Sequence, residues 1–193
     1  MKLHELVDIK IGLTLERKKA GVISANTISY SALTLKSFTN HNNIKVRSYE
    51  EFIANSEIGA QYFTKVNDVV MRLRTPTNAI FISHDNMRLL VSSLMAIITN
   101  IFPNILESKY LAYYLNSQDV TRQLAKNTQG SAIPMIKIAD LLSLDITLPP
   151  IEKQQQMIRY LDSSNDEIEL LHQLTNHKRE LHTKIFEQFI STQ

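Results

Sequence analysis

The sequence predicts an α+β protein in two parts: a globular domain of mixed strands and helices over residues 1–150, then one long C-terminal coiled-coil helix over residues 151–193. Three observations predict it. Short alternating segments rich in Thr, Ser and aromatic residues fill the front of the chain. A helically spaced Tyr/Leu pattern follows near residue 110. After Pro149 and Pro150 there is no further proline or glycine, and apolar residues recur three or four apart or in multiples of seven.

In chain order, "ANTISYSALTLKSF" alternates and favours a strand, and "GAQYFTKVNDVVMRLR" and "AIFIS" carry the same signal. "LLVSSLMAIITNI" is apolar enough for a buried strand or pair of strands. In "ESKYLAYYLNSQDVTRQLAKNTQG", Tyr110, Leu111, Tyr114, Leu115 and Leu124 share helical spacing, and Gly130 offers a stop after Asn127. "SAIPMIKIADLLSLDITLPP" then reads as short strands and a turn. Pro149 and Pro150 punctuate the boundary, because proline suits the first turn of a helix and forces the preceding residue into extended geometry. Beyond them Met157 or Ile158, Leu161, Ile168, Leu171, Leu174, Leu181, Ile185 and Phe189 form a stripe along a rod of roughly 60 Å. A lone helix with one apolar stripe needs a cover. The cover is either another helix or the chain's own globule, and "DSSND" at 162–166 is where the rod would break if it breaks.

Composition narrows the function. With 193 residues and 44% hydrophobic content the chain can bury a core. No apolar run approaches the length of a membrane span, and "MKLHELVDIKIG" mixes charge with apolar residues where a signal peptide would be unbroken, so a cytoplasmic protein is expected. The absence of cysteine excludes disulfides and thiolate metal sites. The net charge of +2 is uneven: residues 1–150 hold 16 Lys+Arg against 12 Asp+Glu, and residues 151–193 hold 5 against 7.

Catalytic signatures are missing. The four glycines, Gly12, Gly21, Gly59 and Gly130, lie too far apart for a phosphate-cradling loop. In "LPP", Leu148 stands where an amino-methyltransferase's N-P-P-F type motif needs a polar side chain. His172, His177 and His182 recur every five residues, which scatters them around a helix, whereas a zinc pair needs one face. No catalytic residue, metal ligand or cofactor site is therefore expected.

The basic loops carry more information. Arg17, Lys18 and Lys19 precede Gly21; Asn40, His41, Asn42, Asn43, Lys45 and Arg47 share one segment; Arg72, Arg74, Thr75 and Asn78 share another; Lys126, Asn127, Gln129 and Ser131 form a fourth. Arg, Asn and Gln match base edges in a major groove, and Lys, Ser and Thr match phosphates. Any one such segment is ordinary solvated surface as readily as a contact; four on a basic globule tilt the reading toward nucleic acid. Arg72 and Arg74 alternate with Leu73, which on a strand points both to one side, away from the apolar face.

The whole chain resembles the DNA-specificity subunit of type I restriction-modification enzymes. The resemblance rests on "KLHELVDIKIGLTL", on "VNDVVMRLR", and on the ordered series of a Tyr-Leu helix, "GS", "LLSLDITLPP" and "EKQQQMI". It implies a target-recognition domain over 1–150 and a spacer helix over 151–193. It further implies a non-catalytic subunit that binds double-stranded DNA and docks methyltransferase subunits, and through them the restriction subunit. S-adenosylmethionine and ATP would then be confined to those partners. A complete subunit of the family carries two recognition domains and two spacer helices, and this chain has room for one of each. The resemblance thus implies either a half-size subunit or half of a longer one, with the half-size form pairing as a two-fold homodimer that reads a bipartite inverted-repeat site. Expected DNA contacts are Arg17, Lys18, Lys19, Asn42, Lys45, Arg72, Arg74, Thr75, Lys126, Asn127, Gln129 and Ser131. Expected helix and partner contacts are Gln154, Gln155, Leu161, Ile168, Leu171, Leu174, Leu181 and Ile185. Two rival readings are a coiled-coil adaptor that binds no DNA and a recognition domain split from a fused methyltransferase.

Overall fold

The computed structural model describes residues 1–22, 27–38, 43–86, 88–127 and 135–191. Two compact units divide after Gln154. The first is built on a four-stranded antiparallel sheet in the order β1 (Asp8–Ile11), β6 (Met95–Thr99), β4 (Val69–Arg72), β5 (Ala79–Phe81). The inner strands are apolar on both faces. Period-two alternation sends Val69, Met71, Ala96 and Ile98 into one core and Val70, Met95 and Ile97 into another.

Three helices supply the first core. α1 (Ser108–Leu115), α2 (Gln118–Asn127) and α3 (Ile138–Leu142) bury Leu111, Leu115, Val120, Leu124 and Leu141 with Leu3 and Leu6 of the N-terminus. The second core is closed by loop residues, including Leu33, Phe38, Ile82 and Val91. A two-stranded antiparallel sheet of β2 (Ile28–Ala32) and β3 (Glu50–Ala54) adjoins it, with its own small cluster around Ala32, Ala54, Ile58 and Leu90.

Several elements differ from the sequence expectation. In "ANTISYSALTLKSF" the strand stops at Ala32, and Thr34 caps a 3-10 turn: the Lys36 N–H donates to its Oγ1 at 3.3 Å, and its own N–H donates to Ser37 Oγ at 2.9 Å. Hydroxyl side chains that bond the local backbone compete with a ladder. In "GAQYFTKVNDVVMRLR" only Val69–Arg72 is strand; Ala60–Tyr62 is a 3-10 turn, and Asn67 takes φ 68° in a tight turn whose Lys65 N–H donates to Asp68 Oδ2 at 2.8 Å.

The Tyr/Leu stretch is two helices because Asn116 is used elsewhere. Its amide grips the edge of β5, accepting from the Ala79 N–H at 2.7 Å and donating to the Ala79 carbonyl at 2.9 Å. Ser117 then restarts the chain, its Oγ accepting the Val120 N–H at 3.3 Å.

The expected short strands before the proline pair are absent among the described residues. Asp140 accepts the Lys137 N–H at 3.2 Å in the first turn of α3, and Leu141 within the helix and Leu144 just past its end both face the core. What remains of strand pairing is isolated: Lys2 bridges Asp145 and Arg74 bridges Met135.

The second unit, residues 155–193, consists of the body of α4 (Ile151–Ser191). Its first turn belongs to the globule, where the Pro150 carbonyl accepts the N–H groups of Lys153 and Gln154 at 2.9 and 3.1 Å. The helix runs unbroken through "DSSND" for 41 residues. Asp, Ser and Asn are weak helix formers, yet five of them within so long a helix cost little against the hydrogen bonds of the whole.

Candidate nucleic-acid interface

One end of the central sheet gathers two of the predicted contact segments, Arg17–Lys19 and Arg72–Thr75. Register places the end of β1 and β4 beside the start of β5 and β6, through the pairs Ile11–Ala96, Arg72–Met95 and Met71–Ala79. Gly12 follows β1 there with its N–H bonded to the Met95 carbonyl at 3.1 Å. A Cβ at Gly12 would lie 2.3 Å from the Ser92 carbonyl oxygen and 2.4 Å from that of Val91, so only glycine permits this approach of backbones.

That approach directs the next segment. Leu13 exchanges hydrogen bonds with Val91 and Ser93 at 2.8 Å, and a 3-10 turn over Leu15–Arg17 carries the chain to Lys18 and Lys19. Lys19 bridges Ala54 at the end of β3, and the Lys18 ammonium donates to Ser56 Oγ at 2.9 Å. Lys18 is therefore committed within the fold, leaving Arg17 and Lys19 as the exposed cations of this segment.

Arg72 and Arg74 do not form the matched pair that alternation suggested. The strand ends at Arg72, which follows Val70 on the second core's face. Its guanidinium lies over the Phe38 ring, 5.8 Å from the centroid, rather than away from the apolar side. The strand has two buried faces, so the side opposite Met71 is packed, not solvated. Burial pushes the Arg72 pKa down, and its Nε is buried with no hydrogen-bond partner among the described residues. Arg74 and Thr75 are exposed in the loop that returns the chain to β5, and Leu73 before them is buried, its carbonyl accepting the Ile136 N–H at 2.8 Å.

Of the fourth basic segment only Lys126 and Asn127 lie among the described residues, and Lys126 borders a hollow shared with Asp119, Asp140 and Asp145. Lys126 is exposed in the last turn of α2, and the chain re-enters the described structure at Met135, bridged to Arg74. Asn127 is the last residue of α2; Asn42, Gln129 and Ser131 lie outside the described residues. Lys45 is anchored at the other end of β5, where the preceding Ile44 carbonyl accepts the Phe81 N–H at 2.7 Å. Phe38, which supports Arg72, was not singled out from the sequence, because 34 positions separate the two and no spacing rule links them.

On α4 the predicted contacts divide sharply. Gln154 is 0% exposed: its amide donates to the Ile105 and Pro149 carbonyls at 2.8 and 2.9 Å and accepts the Glu107 N–H at 3.0 Å. It locks the helix start into the globule and offers no surface to a partner, which corrects its expected docking role. Gln155 is exposed. Ile168, Leu171, Leu174, Leu181 and Ile185 are 43 to 55% exposed and Leu161 is half-buried, so the stripe faces solvent along most of the helix. Among the described residues no group of three metal-ligating side chains occurs, and no helix is long and apolar enough to cross a membrane.

Residues 1–177 match the family described as the type I restriction modification DNA specificity domain. The chain belongs to that family. Solved specificity subunits share its fold. The S subunit of a type I restriction-modification system from M. genitalium aligns with a TM-score of 0.59 at 16% identity, over 93% of this chain and 42% of that one. The HsdS subunit from Thermoanaerobacter tengcongensis aligns at 0.52 and 22% identity, over 89% and 38%. A chain from a study of type I system assembly and conformational transition aligns at 0.53 and 21%, over 89% and 39%. The specificity-domain chain thus spans about two fifths of the solved chains it matches. No curated protein matches its sequence.

Proposed function

We infer that this specificity-family chain is the DNA-reading half of a type I restriction-modification complex, itself without catalytic chemistry. The observation that carries the reading is an unbroken helix with a solvent-facing apolar stripe following a recognition-family domain. Two copies joined by antiparallel α4 helices cover both stripes at once and hold two identical domains apart, which suits a bipartite inverted-repeat site. Gln155 and its neighbours past the proline pair dock methyltransferase subunits. S-adenosylmethionine and ATP reside in the partners.

Within the DNA face, Arg72 suits base reading: its ring contact holds the guanidinium in place, so less freedom is lost on binding. Arg17, Lys19 and Arg74 suit phosphates, as exposed cations around the same end of the sheet, and exposed Lys126 is a further phosphate candidate. A second reading, favoured by the two-fifths coverage of the solved subunits, is that the chain corresponds to one of the two halves of a longer subunit. Selection of bound duplexes from a random pool, with the cognate methyltransferase subunit present, tests both. An inverted repeat with a fixed spacer supports the paired half, a single half-site supports the longer-subunit reading, and no enrichment of any sequence refutes DNA recognition.

A further inference from the structure

Beside the smaller sheet lies an open cleft of about 610 Å3 whose lining includes Tyr30, Glu57, Phe63, Lys65 and Arg88, none of them among the DNA contacts assigned above. Its floor is aromatic: the Tyr30 and Phe63 rings lie 5.3 Å apart between centroids, tilted by 49°. The Tyr30 hydroxyl accepts the Ile58 N–H at 3.2 Å, which fixes the phenol and leaves its own proton to donate.

The rim is charged. Lys65, Arg88 and Glu57 are all exposed. Among the described residues neither the Lys65 ammonium nor the Arg88 guanidinium makes an ion pair or a side-chain hydrogen bond. Arg88 holds φ 64°, a left-handed conformation that glycine adopts at less cost. The turn is kept there by its N–H on the Thr64 carbonyl at 2.8 Å and by the Leu89 N–H on Thr64 Oγ1 at 2.9 Å. These bonds tie Arg88 to the Phe63–Lys65 segment, so that both cations border the same cleft.

Two cations beside an aromatic floor, in a concavity the size of small-ligand sites, match an anionic group carried on a flat ring. We propose that the cleft binds a nucleoside 5′-phosphate unit, with its phosphate on Lys65 and Arg88, its base against Tyr30 and Phe63, and Glu57 accepting from a sugar hydroxyl or base amino group. The unit is supplied either by an unstacked nucleotide of a nucleic-acid strand or by a free nucleotide. The proposal rests on the cleft alone and stands apart from the pairing of α4 and from the Arg72 end of the sheet.

Calorimetric titration of the full chain with adenosine and thymidine 5′-monophosphates, inorganic phosphate, a short single-stranded oligonucleotide and polyglutamate tests it. Arg88→Gly removes the guanidinium while easing the backbone at φ 64°, so the melting temperature should hold; Lys65→Ala is the second variant. The expected result is a Kd for a monophosphate or the strand well below about 1 mM, weakened about tenfold in each variant and unchanged in Lys36→Ala, whose ammonium pairs with Glu50 away from the cleft. Tighter binding of the strand identifies a nucleic-acid source, and tighter binding of the monophosphates a free one. The proposal is overturned if neither nucleotide nor strand binds, if phosphate or polyglutamate binds as tightly, or if Arg88→Gly binds like the parent.

Discussion

Replacing Gln154 with alanine should destabilise the globule, although the residue sits in a run of three glutamines at the start of an otherwise exposed helix. The substitution deletes three hydrogen bonds of 2.8 to 3.0 Å and leaves the Glu107 N–H and the Ile105 and Pro149 carbonyls beside a small void. A buried backbone group without its partner costs about 1–3 kcal/mol. Water admitted to the void would recover part of that, so a total of about 3 kcal/mol is expected, rather than the sum of three full penalties. At roughly 2–4 °C per kcal/mol for a chain of this size, the melting temperature should fall by about 6–12 °C. Gln155→Ala, on the exposed side, should stay within about 0.5 kcal/mol of the parent. Tyrosine fluorescence follows the transition: there is no tryptophan, and six of the seven tyrosines precede the long helix. Gln154→Glu separates packing from bonding, since a carboxylate of the same shape accepts from Glu107 but donates to neither carbonyl, and it should be no more stable than the alanine variant. A Gln154→Ala protein that melts within about 1 °C of the parent would show that the amide does not lock the helix start.

Three further outcomes follow from other parts of the molecule. Leu174→Asp with Leu181→Asp sets charges in the α4 seam at a cost of several kcal/mol, so sedimentation equilibrium should shift from dimer to monomer while the globule's melting temperature holds; a parent that is already monomeric at about 50 μM refutes the paired helix. Arg72→Ala should cost roughly 1–3 kcal/mol on the cognate duplex and relax preference at one position, whereas Arg17→Ala and Lys19→Ala should weaken all sequences alike and lower the salt slope by about one; identical behaviour of the three variants removes Arg72 from base reading. Burial raises the Asp68 carboxyl above its ordinary value of 3.8, against the lowering effect of the Lys65 N–H, so the folded state holds this proton more tightly than the unfolded chain. Asp68 therefore stabilises the acid side, and that contribution is lost as pH rises through its folded pKa; Asp68→Asn should flatten this part of the stability–pH profile, and an unchanged profile refutes the assignment.

Local chemistry by itself determined the long helix, its proline boundary and the apolar inner strands, because period, propensity and proline geometry act within a few residues of one another. The family resemblance was legible for the same reason, as an ordered series of short strings along the chain. Tertiary structure decided what each polar side chain is for. Asn116 breaks a helically spaced stretch because the open edge of β5, 37 residues earlier, needs two hydrogen bonds at Ala79. Gln154 and Gln155 are identical in sequence terms, yet one is sealed against Ile105 and Glu107 and the other faces water, since adjacent residues on a helix point about 100° apart. Arg72 and Arg74 share a strand parity but not an environment, because the second core, brought in by Leu33 and Phe38, covers one and the loop exposes the other. Burial is a property of what packs from elsewhere in the chain, and no window of neighbouring residues contains it.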